Sequence, residues 1–237
     1  MDKKSIIETS GAAVTGHFVY KARYMHGPGY IDKEIFPEIG ALNLRDAIYS
    51  VANNAIEKGL VLRSTGAVGV IGPAYGAIPF SLTLAEAFEN KISGMKFFPA
   101  RSELMWQVDG EKKIHYIPEK LATRYKGKTF IIFEDIVNNG TTIREVADLF
   151  RRKVDARIIT ALAFVNRGGQ TAESLNVPAF YPLLNINMEQ HDLRNGACPL
   201  CEAGVPINTE LGKGDEWVEM FGQPPYSKHL VFSKFWT

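Results

Sequence analysis

The residues best equipped for chemistry run together in Phe130-Ile131-Ile132-Phe133-Glu134-Asp135-Ile136-Val137-Asn138-Asn139-Gly140-Thr141-Thr142. The apolar start reads as a buried strand of a parallel sheet. Glu134 and Asp135 close it, and ionised carboxylates only accept hydrogen bonds, which suits two sugar hydroxyls. A short Asn138-Asn139-Gly140 turn and Thr141-Thr142 follow, then the helical pattern from Ile143 to Phe150. Backbone N–H groups at a helix start, two hydroxyls and the helix dipole together neutralise one phosphate. No Gly-x-x-x-x-Gly-Lys-Ser/Thr is present, so the loop is not of the nucleoside triphosphate type. The expected ligand is a ribose 5-phosphate, with Asn138, Asn139, Gly140, Thr141 and Thr142 as its phosphate cradle. An acidic pair alone also reads as a solvated or capping pair; the loop behind it favours the site.

The surrounding elements must hold this stretch in place. Leu44, Ala47, Ile48, Val51, Ala52, Ala55 and Ile56 are spaced as one helix face within about 40–58, and Gly59 suits its stop. Ala67–Ile71 reads as a strand that enters the turn Gly72-Pro73-Ala74-Tyr75-Gly76-Ala77, with Pro79 opening the next helix. Taken alone, that turn is also an ordinary strand-to-helix connection. Lys96-Phe97-Phe98 is a short strand. Leu104–Val108 and Lys113–Ile117 flank Asp109-Gly110 and read as a hairpin, part of a long excursion over 99–127 of the kind that often closes over a site. Ala156–Val165 and Val177–Leu184 are further strands. Strand and helix alternate, so the expected class is α/β: an open, mostly parallel twisted sheet flanked by helices.

Composition removes several function classes. The 237 residues carry 27 Lys plus Arg against 26 Asp plus Glu, a net charge of +1, which argues against a nucleic-acid footprint. No apolar run has the length of a membrane helix, and Met1-Asp2-Lys3-Lys4-Ser5 lacks the apolar core of a signal peptide. The expectation is a cytoplasmic protein without membrane or nucleic-acid partners. Cys198 and Cys201 are the only cysteines. They form a zinc half-site that needs two more ligands. His191 and Asp192, or a second subunit, are candidates, and an incidental pair of buried thiols is the plainer reading.

The stretch Phe130–Thr142 resembles the ribose-phosphate motif of type I phosphoribosyltransferases. Gly16-His17-Phe18-Val19-Tyr20 with Gly29-Tyr30-Ile31-Asp32-Lys33 is similar to the N-terminal hood of orotate phosphoribosyltransferases. Ala74, Tyr75, Gly76 and Ala77 resemble their diphosphate loop. Asn166-Arg167-Gly168-Gly169 stands where those enzymes carry an Arg that meets the base. The tail Cys198-Pro199-Leu200-Cys201 with Gly204–Thr209 is similar to a subgroup of orotate phosphoribosyltransferase-like proteins.

The resemblance implies one phosphoribosyltransferase domain over 1–237: an α/β core at 40–184, and a small hood from 1–39 and about 185–237. It implies transfer of the phosphoribosyl group from 5-phosphoribosyl-1-diphosphate to a nucleobase, orotate first, with Mg²⁺ and as a homodimer. Glu134, Asp135 and Arg101 would be catalytic, and Arg167 would bind the base, its guanidinium matching a carboxylate. The chain departs from the family where Gly76 replaces a Lys and where Arg101-Ser102-Glu103-Leu104-Met105 lacks two lysines. Lys112, Lys113 and His115 are substitute candidates for the diphosphate, or else charged edges of a solvated hairpin. A catalytically silent donor-binding regulator and an enzyme for another base remain the alternatives.

Overall fold

The structure is a computed structural model that describes residues 13–20, 24–32, 41–60, 62, 66–106, 113–186, 188–194 and 196–226. Of residues 41–44 and 74–76 only the backbone is described. In chain order the elements are β1 (Ala13–Val19), β2 (Met25–Ile31), α1 (Ala41–Glu57), β3 (Val68–Pro73), α2 (Ala74–Lys91), β4 (Phe97–Trp106) and β5 (Lys113–Tyr116). Then come α3 (Glu119–Tyr125), β6 (Thr129–Val137), α4 (Thr141–Val154), β7 (Arg157–Asn166), β8 (Phe180–Asn185), β9 (His191–Asp192), α5 (Pro199–Glu202) and α6 (Gly214–Phe221). The chain divides into two compact units, Ala41–Asn187 and a second made of both chain ends, Met1–Gly40 with Met188–Thr237.

The larger unit is a six-stranded sheet in the order β5-β4-β3-β6-β7-β8. Every pairing is parallel except β4 with β5, an antiparallel edge hairpin. The fold class is therefore the expected α/β one. Parallel strands need both faces covered, and the residues comply. On β6, Phe130 and Ile132 join a core with Ile143, Val146, Ala147 and Phe150 of α4. Those α4 positions recur at helical spacing. Phe133, the neighbour of Ile132, instead meets Phe80 of α2 and Phe164 of β7 edge to face. Gly69 of β3 makes room for Phe130: a Cβ there would run into the Phe130 ring.

Two boundaries depart from the sequence reading. The helix after β3 begins at Ala74 with Pro73 as its N-cap, and Pro79 lies inside it. Pro79 was expected at the start because proline suits the first turn; Pro73 fills the capping place instead, and the supposed turn Ala74–Ala77 is the first turn of α2. Second, β4 runs on unbroken from Phe97 to Trp106, so the hairpin is an extension of a core strand. Its expected turn, Asp109-Gly110, lies outside the described residues, as does Lys112. Gly59 does stop α1: it has a φ of +91°, and Leu60 N–H reaches back to the Ala55 carbonyl at 2.9 Å.

In the smaller unit β1, β2 and β9 form an antiparallel sheet. Its core joins Val19, Leu193, Ile207 and Trp217 with Cys198 and Cys201. Among the described residues no helix is long and apolar enough to cross a membrane.

Candidate active site and its family

The chain leaves β3 towards β4 on one side, whereas β6 is followed by β7 on the other. The carboxyl ends of β3 and β6 therefore flank a switch point in strand order, where open α/β sheets bind ligands. Two helix starts face this crevice by topology: α2 after β3, and α4 after the loop 138–140. The first backbone N–H groups of each helix lack partners within the helix and suit an anion. Ala74, Tyr75, Gly76 and Ala77 are the first turn of α2. Gly72 permits their approach, since a Cβ there would stand 2.5 Å from the Ala77 carbonyl oxygen.

At the end of β6 the strand continues two residues past the acids, to Val137. Glu134 and Asp135 thus lie within the strand, not at its close as the sequence reading had them. Extended backbone sends such neighbours in opposite directions, so a ribose that meets both must lie across the strand end. Asp135 is buried, at 6% exposure, and its Oδ1 accepts the Ile136 N–H at 2.8 Å. Glu134 is half-buried. Gly140 adopts φ +73° as the N-cap of α4, a conformation that glycine takes without strain. Asn139 Oδ1 accepts the Thr141 N–H at 3.1 Å, which holds the loop in a tight curl.

Arg144 is a member of this loop that the sequence reading missed. Its Nη1 donates to the Asn139 carbonyl at 2.9 Å and to the Ser174 carbonyl at 3.0 Å, and its Nη2 reaches Thr141 Oγ1 at 3.4 Å. The only sequence signal was a basic residue one turn into a helix that follows an anion loop.

Arg167 follows β7, directly beside β6. Its N–H and that of Gly168 both donate to the Val137 carbonyl, at 2.8 and 3.2 Å. Gly168 presses so closely on the Asn138 carbonyl that a Cβ would overlap it. Arg167, Gly168 and the loop 138–140 are therefore one packed assembly. Asn166 ties it down: its Nδ2 donates to the Gln170 carbonyl and to Asn185 Oδ1, both at 2.9 Å, and its Oδ1 accepts the Gln170 N–H. Asn166 is buried at 3% exposure and was read only as a flank of Arg167.

The basic candidates on the other side of the sheet are more scattered. Ile71 of β3 lies level with Ala100 of β4 and Ile132 of β6, so Arg101 stands two strand spacings from β6, about 10 Å. Its guanidinium pairs with Glu103 at 3.2 Å while half exposed. Lys113 Nζ sits over the Trp106 ring, 4.6 Å from its centroid. His115 Nδ1 and Ser102 Oγ are 3.0 Å apart, and burial pushes the imidazole pKa down. The lowered pKa favours the neutral ring, a hydrogen-bonding group of the hairpin.

Residues 43–192 match the family described as phosphoribosyl transferase domain. The chain belongs to that family. The match spans β3 to β8 and so contains the switch point, both helix starts and Arg167. An orotate phosphoribosyltransferase of Carboxydothermus hydrogenoformans is 29% identical over 210 residues, 87% of this chain and 91% of that protein. One of Thermus thermophilus is 28% identical over 211 residues, 87% of this chain and 98% of that protein. The crystal structure of the Aeropyrum pernix orotate phosphoribosyltransferase superposes with a TM-score of 0.54 at 18% identity, covering 78% of this chain and 93% of that one. The last likeness is one of fold. The chain is a phosphoribosyltransferase-family protein similar to the orotate enzymes.

The cysteine pair lies in the other unit. Cys201 Sγ is 3.4 Å from His26 Nδ1, and both sulfurs approach His17 Nε2, at 3.7 Å from Cys198 and 3.6 Å from Cys201. His191 and Asp192, two of the candidate ligands, are not part of this cluster: His191 Nε2 faces Glu189 at 3.6 Å and Asp192 pairs with Arg194 at 2.7 Å. Hydrogen bonding from Cys201 holds the Cys198 thiol far below its ordinary range, and the same bond pushes Cys201 up.

Proposed function

We propose that this phosphoribosyltransferase transfers the 5-phosphoribosyl group of 5-phosphoribosyl-1-diphosphate to orotate, giving orotidine 5′-monophosphate and diphosphate. The observation that carries this reading is the packing of Arg167 and Gly168 against the loop that follows Glu134 and Asp135. It brings the Arg167 backbone against that loop, which supports a reading in which the Arg167 guanidinium meets a base carboxylate and the loop meets the sugar phosphate. The relatives named as orotate phosphoribosyltransferases support the same choice.

In this reading the loop Asn138–Thr142 takes the 5′-phosphate, with Arg144 holding its curl. Glu134 and Asp135 accept the ribose hydroxyls and stand near the positive charge that grows on the ring. The first turn of α2 offers N–H groups to the departing diphosphate, where charge develops. Arg101 adds positive charge once it leaves Glu103. The two carboxylates are hard oxygen donors at the strand end and fit Mg²⁺ coordination, directly or through the ribose hydroxyls. When bound, that ion supplies neutralisation of the diphosphate.

A second reading, a donor-binding protein with little turnover, is favoured by one observation. Arg101 is engaged with Glu103 and Lys113 with Trp106, so the basic groups described near the hairpin are occupied. A spectrophotometric assay with the donor, Mg²⁺ and a panel of bases separates the two. Turnover of orotate alone is the expected result. Donor binding by calorimetry without turnover of any base would establish the second reading, and turnover of a purine or uracil would replace orotate.

A further inference from the structure

We propose that His17, His26, Cys198 and Cys201 form a closed Cys₂His₂ site for one structural Zn²⁺ ion, bound through His17 Nε2, His26 Nδ1 and the two Sγ atoms. One ligand atom from each residue lies within 4.8 Å of all the others. All four side chains are buried: His17 is 1% exposed, His26 and Cys198 0%, and Cys201 7%. They lie in the unit built from the two chain ends, so the proposal is independent of the transfer reaction.

Four of the six separations between the ligand atoms fit a tetrahedron. Zinc about 2.3 Å from sulfur and about 2.0–2.1 Å from nitrogen places nitrogen and sulfur about 3.6 Å apart, and two nitrogens about 3.3 Å apart. The observed nitrogen–sulfur separations are 3.7, 3.6 and 3.4 Å, and His17 Nε2 lies 3.0 Å from His26 Nδ1. These four separations need adjustments of only a few tenths of an ångström to close on an ion, and the other ligand atoms lie within 4.8 Å of one another.

Hydrogen bonding alone explains the arrangement less well. His17 Nδ1 lies 2.8 Å from the Val205 carbonyl oxygen. A carbonyl only accepts, so Nδ1 carries the ring proton and Nε2 turns a lone pair to the cluster. An imidazole held by its other nitrogen on a backbone carbonyl is oriented for a metal. Three groups converge on that lone pair, the two sulfurs and His26 Nδ1, and one hydrogen bond would satisfy only one of them. A cation satisfies all four donors together. His26 Nε2 is buried with no hydrogen-bond partner among the described residues. A ring that ligates through Nδ1 carries its proton on Nε2, and the His26 ring packs edge to face with Trp217, 4.5 Å between centroids.

Local structure explains how the four meet. β1 and β2 pair Val19 with His26, so those side chains share a face, and His17, two residues before Val19, shares it too. One extra residue in β1 lies between Thr15 and Phe18, opposite Pro28, whose missing N–H interrupts the ladder in any case. The Cys198–Cys201 pair is set by α5, with Cys198 as its N-cap. Glu202 N–H donates to the Cys198 carbonyl at 3.1 Å, and Val205 N–H to the Leu200 carbonyl at 2.9 Å. The turn that presents the sulfurs thus also presents the Val205 carbonyl that orients His17.

The donor set selects the metal. Two thiolates and two imidazoles in a tetrahedron suit Zn²⁺, and Mg²⁺ or Ca²⁺ would need oxygen ligands. Two thiolates balance the ion's charge, so the buried cluster is neutral. With four protein ligands no position is left for water, which makes the site structural and not catalytic.

The test uses the full chain without a histidine tag, expressed with zinc and purified without chelator. Elemental analysis is expected to give about one zinc per chain. Removal of the metal with a chelator and a thiol-binding mercurial, then addition of Co²⁺ under reducing conditions, is expected to give the visible bands of tetrahedral thiolate-bound cobalt. Cys198→Ser should lose the stoichiometry, His17→Cys should keep it as a Cys₃His site, and His191→Asn should leave it unchanged. The wild-type cobalt spectrum does not depend on a variant folding. Metal-free protein with neither zinc nor a cobalt spectrum, a Cys198–Cys201 disulfide in its place, or a full complement of iron would each overturn the assignment.

Discussion

At the scale of single residues, the site rests on side chains whose neighbours decide what they can do. Arg167 is held by the backbone around it: its own N–H is anchored to Val137, and Asn166 fixes the loop from the other end, which would set its guanidinium for the proposed base contact. Arg167→Ala is expected to raise the KM for orotate by roughly 10- to 100-fold, the worth of a charged hydrogen-bonded contact, with little change in the KM for the phosphoribosyl donor. Steady-state kinetics with each substrate varied in turn checks this, and an equal loss for both substrates would remove Arg167 from base recognition. The arginine stands out in the sequence because it follows an apolar strand and precedes two glycines. Asn166 was named only as part of that motif, since its work is done through Asn185, a residue of the next strand. Arg144 escaped for a similar reason: its partner Ser174 is distant in sequence and lies in a loop without a periodic pattern. His115 was singled out with the hairpin lysines, and the burial that lowers its pKa shows only in the packing.

At the scale of elements, the unit from β6 through α4 to β7 was the most legible part of the chain. Local signals agree there: an apolar run, acids, a glycine and an amphipathic helix. The start of α2 was less legible because two prolines compete for one boundary, and local sequence does not say which one caps. The short helix α3 escaped altogether, lost in the excursion read as a hairpin and loop. The glycines after β6 and after β7 permit a test of how tightly the loops are fitted. Gly140 and Gly169 both have positive φ, +73° and +63°. A Cβ on Gly140 would collide with Leu175, whereas Gly169 has nothing within 4 Å. Both Ala substitutions carry the backbone strain of a left-handed residue, about 1–2 kcal/mol. Gly140→Ala should lose more than that in denaturant unfolding and should also weaken donor binding by calorimetry. Gly169→Ala should cost only the strain and should leave donor affinity near wild type. Equal effects of the two on donor affinity would mean that the curl of the phosphate loop is not set at Gly140.

At the scale of the whole molecule, the two units are stabilised by different means. The larger one has a continuous aromatic and aliphatic core from Phe130, Phe150 and Tyr125 to Ile158 and Val177. The smaller one draws strands from one chain end and α5 and α6 from the other, around a core of Val19, Leu193, Ile207, Trp217 and the cysteines. His17 and Cys198 are 181 positions apart, which is why a reading by local motif found the cysteines and not their histidines. Bringing such distant segments together has an entropic cost, and small cores often rely on a metal to meet it. Metal removal should therefore act unevenly. In hydrogen exchange with mass spectrometry, the chelated full-length protein is expected to lose protection in 13–31 and 191–226. The strands β3, β6 and β7 should keep theirs, because no proposed ligand lies in that unit. Cooperative loss of protection across both units would show that the metal supports the entire fold, and unchanged protection in both would show that the cluster of His17, His26, Cys198 and Cys201 is held by packing alone.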